Sequence, residues 1–118
     1  MPNLFPFWER ATLRRMRLHG VQLLHDFAGR HPPARTWIQA WTAEVEKANW
    51  PTPQDIKDRY RTVSFVGKLV IFNVKGNDYR MATAVAYRMG IVVVKWIGTH
   101  DEYMQINWES AANEGHGR

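Results

Sequence analysis

The chain has 118 residues, 45% of them hydrophobic and 13% aromatic, with no cysteine and a formal net charge of +5. That length suits one domain burying roughly two-thirds of its unfolded surface and leaves it no room for a second, while the cysteine count excludes disulfides and thiolate zinc sites and is compatible with a reducing compartment. No apolar run approaches the ~20 residues of a membrane span, and Met1 to Arg15 has the wrong order of charges for a secretory signal, so a soluble, cytoplasmic protein is expected.

Residues 1–15 differ in composition from the rest of the chain, with Met-Pro-Asn-Leu-Phe-Pro-Phe-Trp and then Arg10, Arg14 and Arg15. They are expected to be an N-terminal extension or the product of an upstream start, with Met16 a candidate true start. The folded domain is expected over 16–110. Met16 to His19 suits a short first strand. Val21, Leu23, Leu24, Phe27 and Ala28 then recur at helical spacing up to Gly29, and Pro32-Pro33 breaks that helix. A second helix is predicted from about Ala34 to Ala48, with Trp37, Ile38, Trp41 and Val45 on its apolar stripe. Aromatics at that spacing on an amphipathic helix are packing residues rather than a nucleobase platform.

Thr52-Pro53-Gln54-Asp55 reads as a helix start: Thr52 caps, Pro53 fits the first helical position and Asp55 suits the positive end of the helix dipole. From Thr62 the pattern becomes a meander of four antiparallel strands, Val63 to Val66, Leu69 to Lys75, Tyr79 to Arg88 and Ile91 to Ile97, divided by Gly67-Lys68, Gly76-Asn77 and Met89-Gly90. A short C-terminal helix comes next, and residues 111–118 are expected to be a disordered tail. The predicted class is α+β, with two N-terminal helices packed on a four-stranded antiparallel sheet.

Strand parity then makes specific expectations. A two-residue turn at Gly76-Asn77 pairs Lys75 with Asp78 and Asn73 with Arg80 on a wet face, leaving Phe72, Met81, Val74 and Tyr79 on the core face. A similar turn at Met89-Gly90 pairs Ala84 with Lys95 and Arg80 with Thr99. It also puts Thr83 opposite Trp96 on the core face, and leaves Ala82, Ala84 and Ala86 as a shallow floor beside Arg80. A slip of one residue would reverse these faces.

Between positions 57 and 95, Lys57, Arg59, Arg61, Lys68, Lys75, Arg80, Arg88 and Lys95 face only Asp58 and Asp78. A basic field over a sheet attracts a polyanion by steering and counterion release; the competing reading is a solvated face. With His100 and Tyr103 delivered after the strand ending at Gly98, cations, amides, an imidazole and a phenol meet on one face, which is equipment for handling a phosphate. His19, His25 and His31 are spaced by six, which does not put them on one helix face. No metal site and no cofactor are expected.

The run Phe72-Asn73-Val74-Lys75-Gly76-Asn77-Asp78-Tyr79-Arg80, with Gly98-Thr99-His100-Asp101-Glu102-Tyr103 further along, resembles the HigB family of bacterial toxins within the RelE superfamily. The likeness extends from Met16 to about Asn107 and takes in Ala48-Asn49-Trp50 and Asp55-Ile56-Lys57. It implies a RelE-like fold and a toxin of a type II toxin–antitoxin system. Such a toxin is a metal-independent, ribosome-dependent endoribonuclease that cuts messenger RNA and inhibits translation. The partners implied are the ribosome, messenger RNA and a cognate antitoxin, commonly a helix-turn-helix DNA-binding protein.

Cleavage by transfer of the phosphoryl group to the adjacent ribose hydroxyl needs a base for the 2′ proton, cations for the phosphate oxygens and an acid for the leaving 5′ oxygen. The resemblance then nominates Arg80 as phosphate clamp, since a guanidinium is always charged and donates in parallel pairs, with Lys75 as a second cation. His100, since an unperturbed imidazole has a pKa near neutrality, and Tyr103 are the proton-transfer candidates; which of them is the base stays open. Asn73, Asn77, Lys57, Arg59, Arg61 and Lys95 are the expected RNA contacts. Structural alternatives stand beside these. Arg80 could pair with Asp78, Asn77 could serve left-handed turn geometry, and Thr99 could cap a helix whose Tyr103 packs inward. Two other function classes also compete: a non-catalytic RNA-binding module of this fold, and a relative of the gyrase-inhibiting branch.

Overall fold

The computed structural model describes residues 15–114. Strand β1 (Arg17–His19) leads into helix α1 (Val21–Arg30), a 3-10 turn (Pro32–Ala34), helix α2 (Arg35–Lys47) and helix α3 (Pro53–Arg59). Strands β2 (Ser64–Val66), β3 (Leu69–Val74), β4 (Tyr79–Ala86) and β5 (Ile91–Thr99) come next, then helices α4 (His100–Met104) and α5 (Trp108–Glu114).

The α+β class and the antiparallel meander agree with the sequence. The sheet, however, has five strands in the order β1-β5-β4-β3-β2 and is mixed, because β1 pairs parallel with β5, Leu18 opposite Val92. Among the described residues there are five α-helices, one more than the four that the sequence predicts, because two helices rather than one follow β5. Three residues are too few to display an alternation, so β1 is a strand chiefly because β5 offers its backbone partners. Residues 111–114, expected in the tail, continue α5 and bury Ala112. The remainder of the expected tail, 115–118, and residues 1–14 of the expected extension lie outside the described residues. Met16 is part of the core: its amide donates to the Ala48 carbonyl at 3.0 Å and its side chain is buried.

Local chemistry explains the helix boundaries. Gly20 sits at φ +85°, and a Cβ there would come 2.5 Å from the Val94 carbonyl oxygen, so only glycine lets the chain turn from β1 into α1 against β5. Thr52 and Asp55 cap α3 reciprocally: the Asp55 amide donates to Thr52 Oγ1 and the Thr52 amide to Asp55 Oδ2. With Pro53 at the first helical position, this is the start that the sequence predicts.

The two long helices cover one face of the sheet. Leu24 and Phe27 from α1 and Ile38, Trp41 and Val45 from α2 close over Phe72, Val74, Met81 and Val92. The β3–β4 register is the expected one, Phe72 opposite Met81 and Asn73 opposite Arg80. The β4–β5 register is not. Ala86 pairs with Ile91 and Ala84 with Val93, because the connection takes the four residues 87–90 and is closed by the Gly90 amide on the Ala86 carbonyl at 2.8 Å. A slip of two residues leaves the faces unchanged. A second irregularity does not: the register shifts again between Ala82 and Thr83, so that Thr83 faces Val94 and Ala82 faces Trp96.

Lys95 is the extra residue of this bulge, paired with nothing on β4. Beyond it the parity of β5 reverses. Val92 and Val94 point into the helical core, whereas Trp96 and Gly98 share the face of Arg80. Trp96, expected in the core, is therefore on the opposite side of the sheet. The shallow floor is corrected too. Ala82 is completely buried, and Ile71, its partner across β3–β4 on the same face, is nearly so. Helix α5 packs against β2 on that side, with Ala112 Cβ 3.0 Å from a Cβ built on Gly67. The outer face is thus half covered and half polar.

Trp41 is 1% exposed and meets Phe72 edge to face at 5.4 Å. Trp41→Ala is expected to destabilise the fold by about 3–5 kcal/mol, read as a lowered denaturant midpoint with an unchanged slope. An unaltered midpoint would mean that the helices do not close over the sheet at this residue.

Candidate functional site

The polar half of the outer face is organised by the β3–β4 turn. Lys75 and Gly76 both take positive φ, 52° and 66°, and the Asp78 amide donates to the Lys75 carbonyl at 3.3 Å. Asn77 is not in the left-handed region, so that explanation of its presence fails. Its side-chain oxygen instead accepts from Asn73 Nδ2 at 3.2 Å.

Asp78 is taken by Lys75, Nζ to Oδ2 3.2 Å. The alternative in which Asp78 neutralises Arg80 is therefore not realised. Arg80 Nη1 donates to the carbonyls of Asn77 and Tyr79, each at 3.2 Å, and its guanidinium carbon lies 5.6 Å from the centre of the Tyr103 ring. Carbonyls orient this cation without cancelling its charge. Both ends of the Lys75–Asp78 pair are about half exposed, and such a pair is worth at most about 1 kcal/mol, so a phosphate can take Lys75 from it at small cost.

Helix α4 brings in the other candidates. Thr99 caps it in a reciprocal box, with the Glu102 amide donating to Thr99 Oγ1 at 3.1 Å and the Thr99 amide to Glu102 Oε1 at 2.8 Å. His100 opens the helix, and its amide donates to the Asp78 carbonyl at 3.1 Å, which ties the helix start to the turn. Its imidazole is nearly half exposed, with Asp101 Oδ1 4.0 Å from Nδ1. Among the described residues no hydrogen bond or ion pair joins that imidazole to Arg80, Lys75 or Tyr103. Tyr103 does not enter the helical core. It stacks on Trp108 at 5.1 Å and lies 6.3 Å from Trp96.

On the other side of the turn a cleft of about 420 Å³ is lined by Arg59, Arg61, Asn73 and Asn77 together with Trp37 and Tyr60. It unites four of the six expected RNA contacts. Arg59 is also paired with Glu44 and lies over the Tyr60 ring, so Arg61 is the less encumbered cation. Lys57 belongs elsewhere: its Nζ donates to the Val63 carbonyl at 2.9 Å and secures the approach to β2. Lys95 is exposed at the bulge.

Three aromatics of this region were not expected as site residues. Trp37 is half buried and stacks on Trp41 while lining the cleft. Trp96 and Trp108 meet edge to face at 5.1 Å beside Tyr103. Nothing in the alternation of β5 signals the bulge that exposes Trp96. The three spaced histidines are dispersed: His19 is in β1, His25 lines a groove between α1 and α2, and His31 stacks on Phe27 at 4.4 Å.

Residues 34–106 match the HigB_toxin family, described as the RelE-like toxic component of a toxin–antitoxin system. The chain is similar to the mRNA interferase toxin HigB of Escherichia coli (strain K12) and to proteins named mRNA interferase HigB from Escherichia coli O157:H7 and Shigella flexneri. Each is 25% identical over 91 residues, which cover 75% of this chain and 88% of the relative.

The packing at Gly98 and the burial of Tyr60 each have a measurable outcome. A Cβ on Gly98 would come 2.5 Å from the Trp96 ring and 2.8 Å from Glu102 Oε1, so Gly98→Ala should cost about 1–3 kcal/mol and alter near-ultraviolet circular dichroism; an unchanged melt and spectrum would refute that packing. Burial, and then the facing Glu44 carboxylate, raise the Tyr60 phenol above its ordinary value of 10.0. The unfolded chain ionises this group first, so its contribution to stability is complete below about pH 10 and is lost as pH rises beyond it. Tyr60→Phe should flatten the alkaline fall in melting temperature, while Tyr87, also raised by burial, retains part of it.

Proposed function

The chain belongs to the HigB family of RelE-like toxins of toxin–antitoxin systems, and from that premise we propose that it cleaves messenger RNA at the Arg80 face of the sheet, on the ribosome. It is an mRNA-cleaving toxin, an endoribonuclease, and its system supplies an antitoxin partner. The antitoxin of this reading is a helix-turn-helix protein, and the site of action is the cytoplasm. Among the described residues no helix is long and apolar enough to cross a membrane.

The observation that carries the site assignment is the state of Arg80: held by two carbonyls, laid against Tyr103 and left with its full positive charge. A guanidinium fixed in this way donates a fork of hydrogen bonds to two phosphate oxygens and stabilises the extra charge of the pentacoordinate transition state. Lys75, released from Asp78, adds a second positive charge. The ribose 2′ hydroxyl attacks the adjacent phosphorus, its proton passes to a base, and the bond to the 5′ oxygen breaks as that oxygen receives a proton. The products are a cyclic phosphate and a free 5′ hydroxyl.

His100 and Tyr103 share the proton transfers. The start of α4 is tied to the β3–β4 turn through the His100 amide, and the imidazole is nearly half exposed to an incoming ribose. Arg59, Arg61, Asn73 and Asn77 receive the flanking strand in the cleft, with Lys95 contributing to the field at longer range.

Induction of the chain in a bacterial host should arrest growth and create new messenger 5′ ends inside translated codons. Arg80→Ala and His100→Ala should each abolish both effects while still binding the antitoxin, with losses of at least about 100-fold in cleavage rate. Wild-type toxicity in either variant at equal expression would remove that residue from the mechanism. Arrest without cleavage would instead favour a different target, such as gyrase.

A further inference from the structure

The matched segment ends at residue 106, and the chain then adds α5 with Trp108 at its first position. That indole is fixed in place: its Nε1 donates to the Tyr103 carbonyl at 3.0 Å, and its ring stacks on Tyr103 within 25° of parallel. Trp96 supports it from the side, brought to this face by the bulge at Lys95. All three rings remain partly exposed, although Ala112 of α5 and, on the same face of the sheet, Ile71 and Ala82 are buried. Arg80 lies against the same Tyr103 ring, only one aromatic away from Trp108.

We infer that Trp108, supported by Trp96, is a stacking surface for a base of single-stranded RNA next to the phosphate held by Arg80. This rests on the assignment of Arg80 as the phosphate clamp and adds to it a positioning contact from outside the family's matched segment. A phosphodiester bound at Arg80 carries its neighbouring nucleotides along the outer face, and one direction leads across Tyr103 to the indoles. Every base has a π face, so a pre-oriented indole holds it without requiring a particular hydrogen-bond pattern. Fixing that base fixes the sugar whose hydroxyl must align with the phosphorus, so the contact acts on the rate as well as on binding.

The competing role for Trp108 is an anchor for α5, and two substitutions separate them. Trp108→Phe keeps a π face, whereas Trp108→Leu keeps apolar volume without one. Single-turnover cleavage of ribosome-bound messenger is measured with each variant, with an abasic nucleotide placed in turn at positions flanking the cut, and melting temperatures are recorded alongside. Trp108→Leu should lower kcat/KM by roughly ten-fold and Trp108→Phe by no more than about three-fold, the scale of base–aromatic stacking. One abasic position should cost the wild type roughly ten-fold and cost Trp108→Leu nothing further.

Undiminished cleavage by Trp108→Leu, or an abasic penalty that simply adds to it, would overturn the stacking contact while the Arg80 assignment stands. Cleavage unaffected by Arg80→Ala would overturn the site reading and this inference together. If Trp108→Leu melts early, the wild type alone decides: no abasic position with a penalty means no stacked base.

Discussion

One extra residue in β5 sets the character of both faces of the sheet. A strand presents alternate side chains to opposite sides, and the bulge at Lys95 interrupts that alternation once. Before it, Val92 and Val94 fill the core beneath α1 and α2. After it, Trp96 and Gly98 face outward beside Arg80, while Ile97 and Thr99 take the inward positions. Without the bulge Trp96 would enter the helical core and α4 would leave the sheet from the other side. The partly exposed aromatics, the close packing at Gly98 and the course of the last two helices all depend on this one irregularity.

Around that constraint the polar half of the outer face is arranged so that charge is kept available at one point. The acidic residue nearest Arg80 in sequence, Asp78, is occupied by Lys75; Glu102 is engaged by its own capping box; Glu44 is held by Arg59 and Tyr60. What remains at Arg80 is a cation oriented by neutral carbonyls. Buried charges need partners, but a charge at a partly exposed site oriented by dipoles keeps its attraction for an incoming phosphate. The same backbone that holds Arg80 also anchors α4, through the His100 amide on the Asp78 carbonyl. The turn and the helix carrying the proton-transfer candidates are thus a connected unit.

The C-terminal helix gives the sheet a second, smaller cover. Ile71, Ala82 and Ala112 are buried without belonging to the main core, and α5, packed against β2, adds an apolar contact on the side that an alternating pattern would leave to water. A protein of this size has few buried residues to spare, and this contact adds stability while leaving the polar end of the face uncovered. The division explains how the same face can serve both packing and the proposed RNA site.

The sequence by itself determined the elements whose signals are local. The capping boxes at Thr52 and Thr99, the break at Pro32-Pro33, the apolar stripe of α2 and the β3–β4 register are all read from neighbouring residues, because backbone capping and strand alternation act over a few positions. The same is true of the likeness carried by Phe72 to Arg80 and Gly98 to Tyr103, which the family match over residues 34–106 bears out. Tertiary structure decided what depends on distant partners. It paired β1 with β5, placed the bulge at Lys95 and so turned Trp96 outward, and extended α5 over residues expected to be tail. None of these leaves a periodic trace, since a bulge, a parallel edge strand and a helix packed on the sheet are each settled by packing and geometry between distant residues.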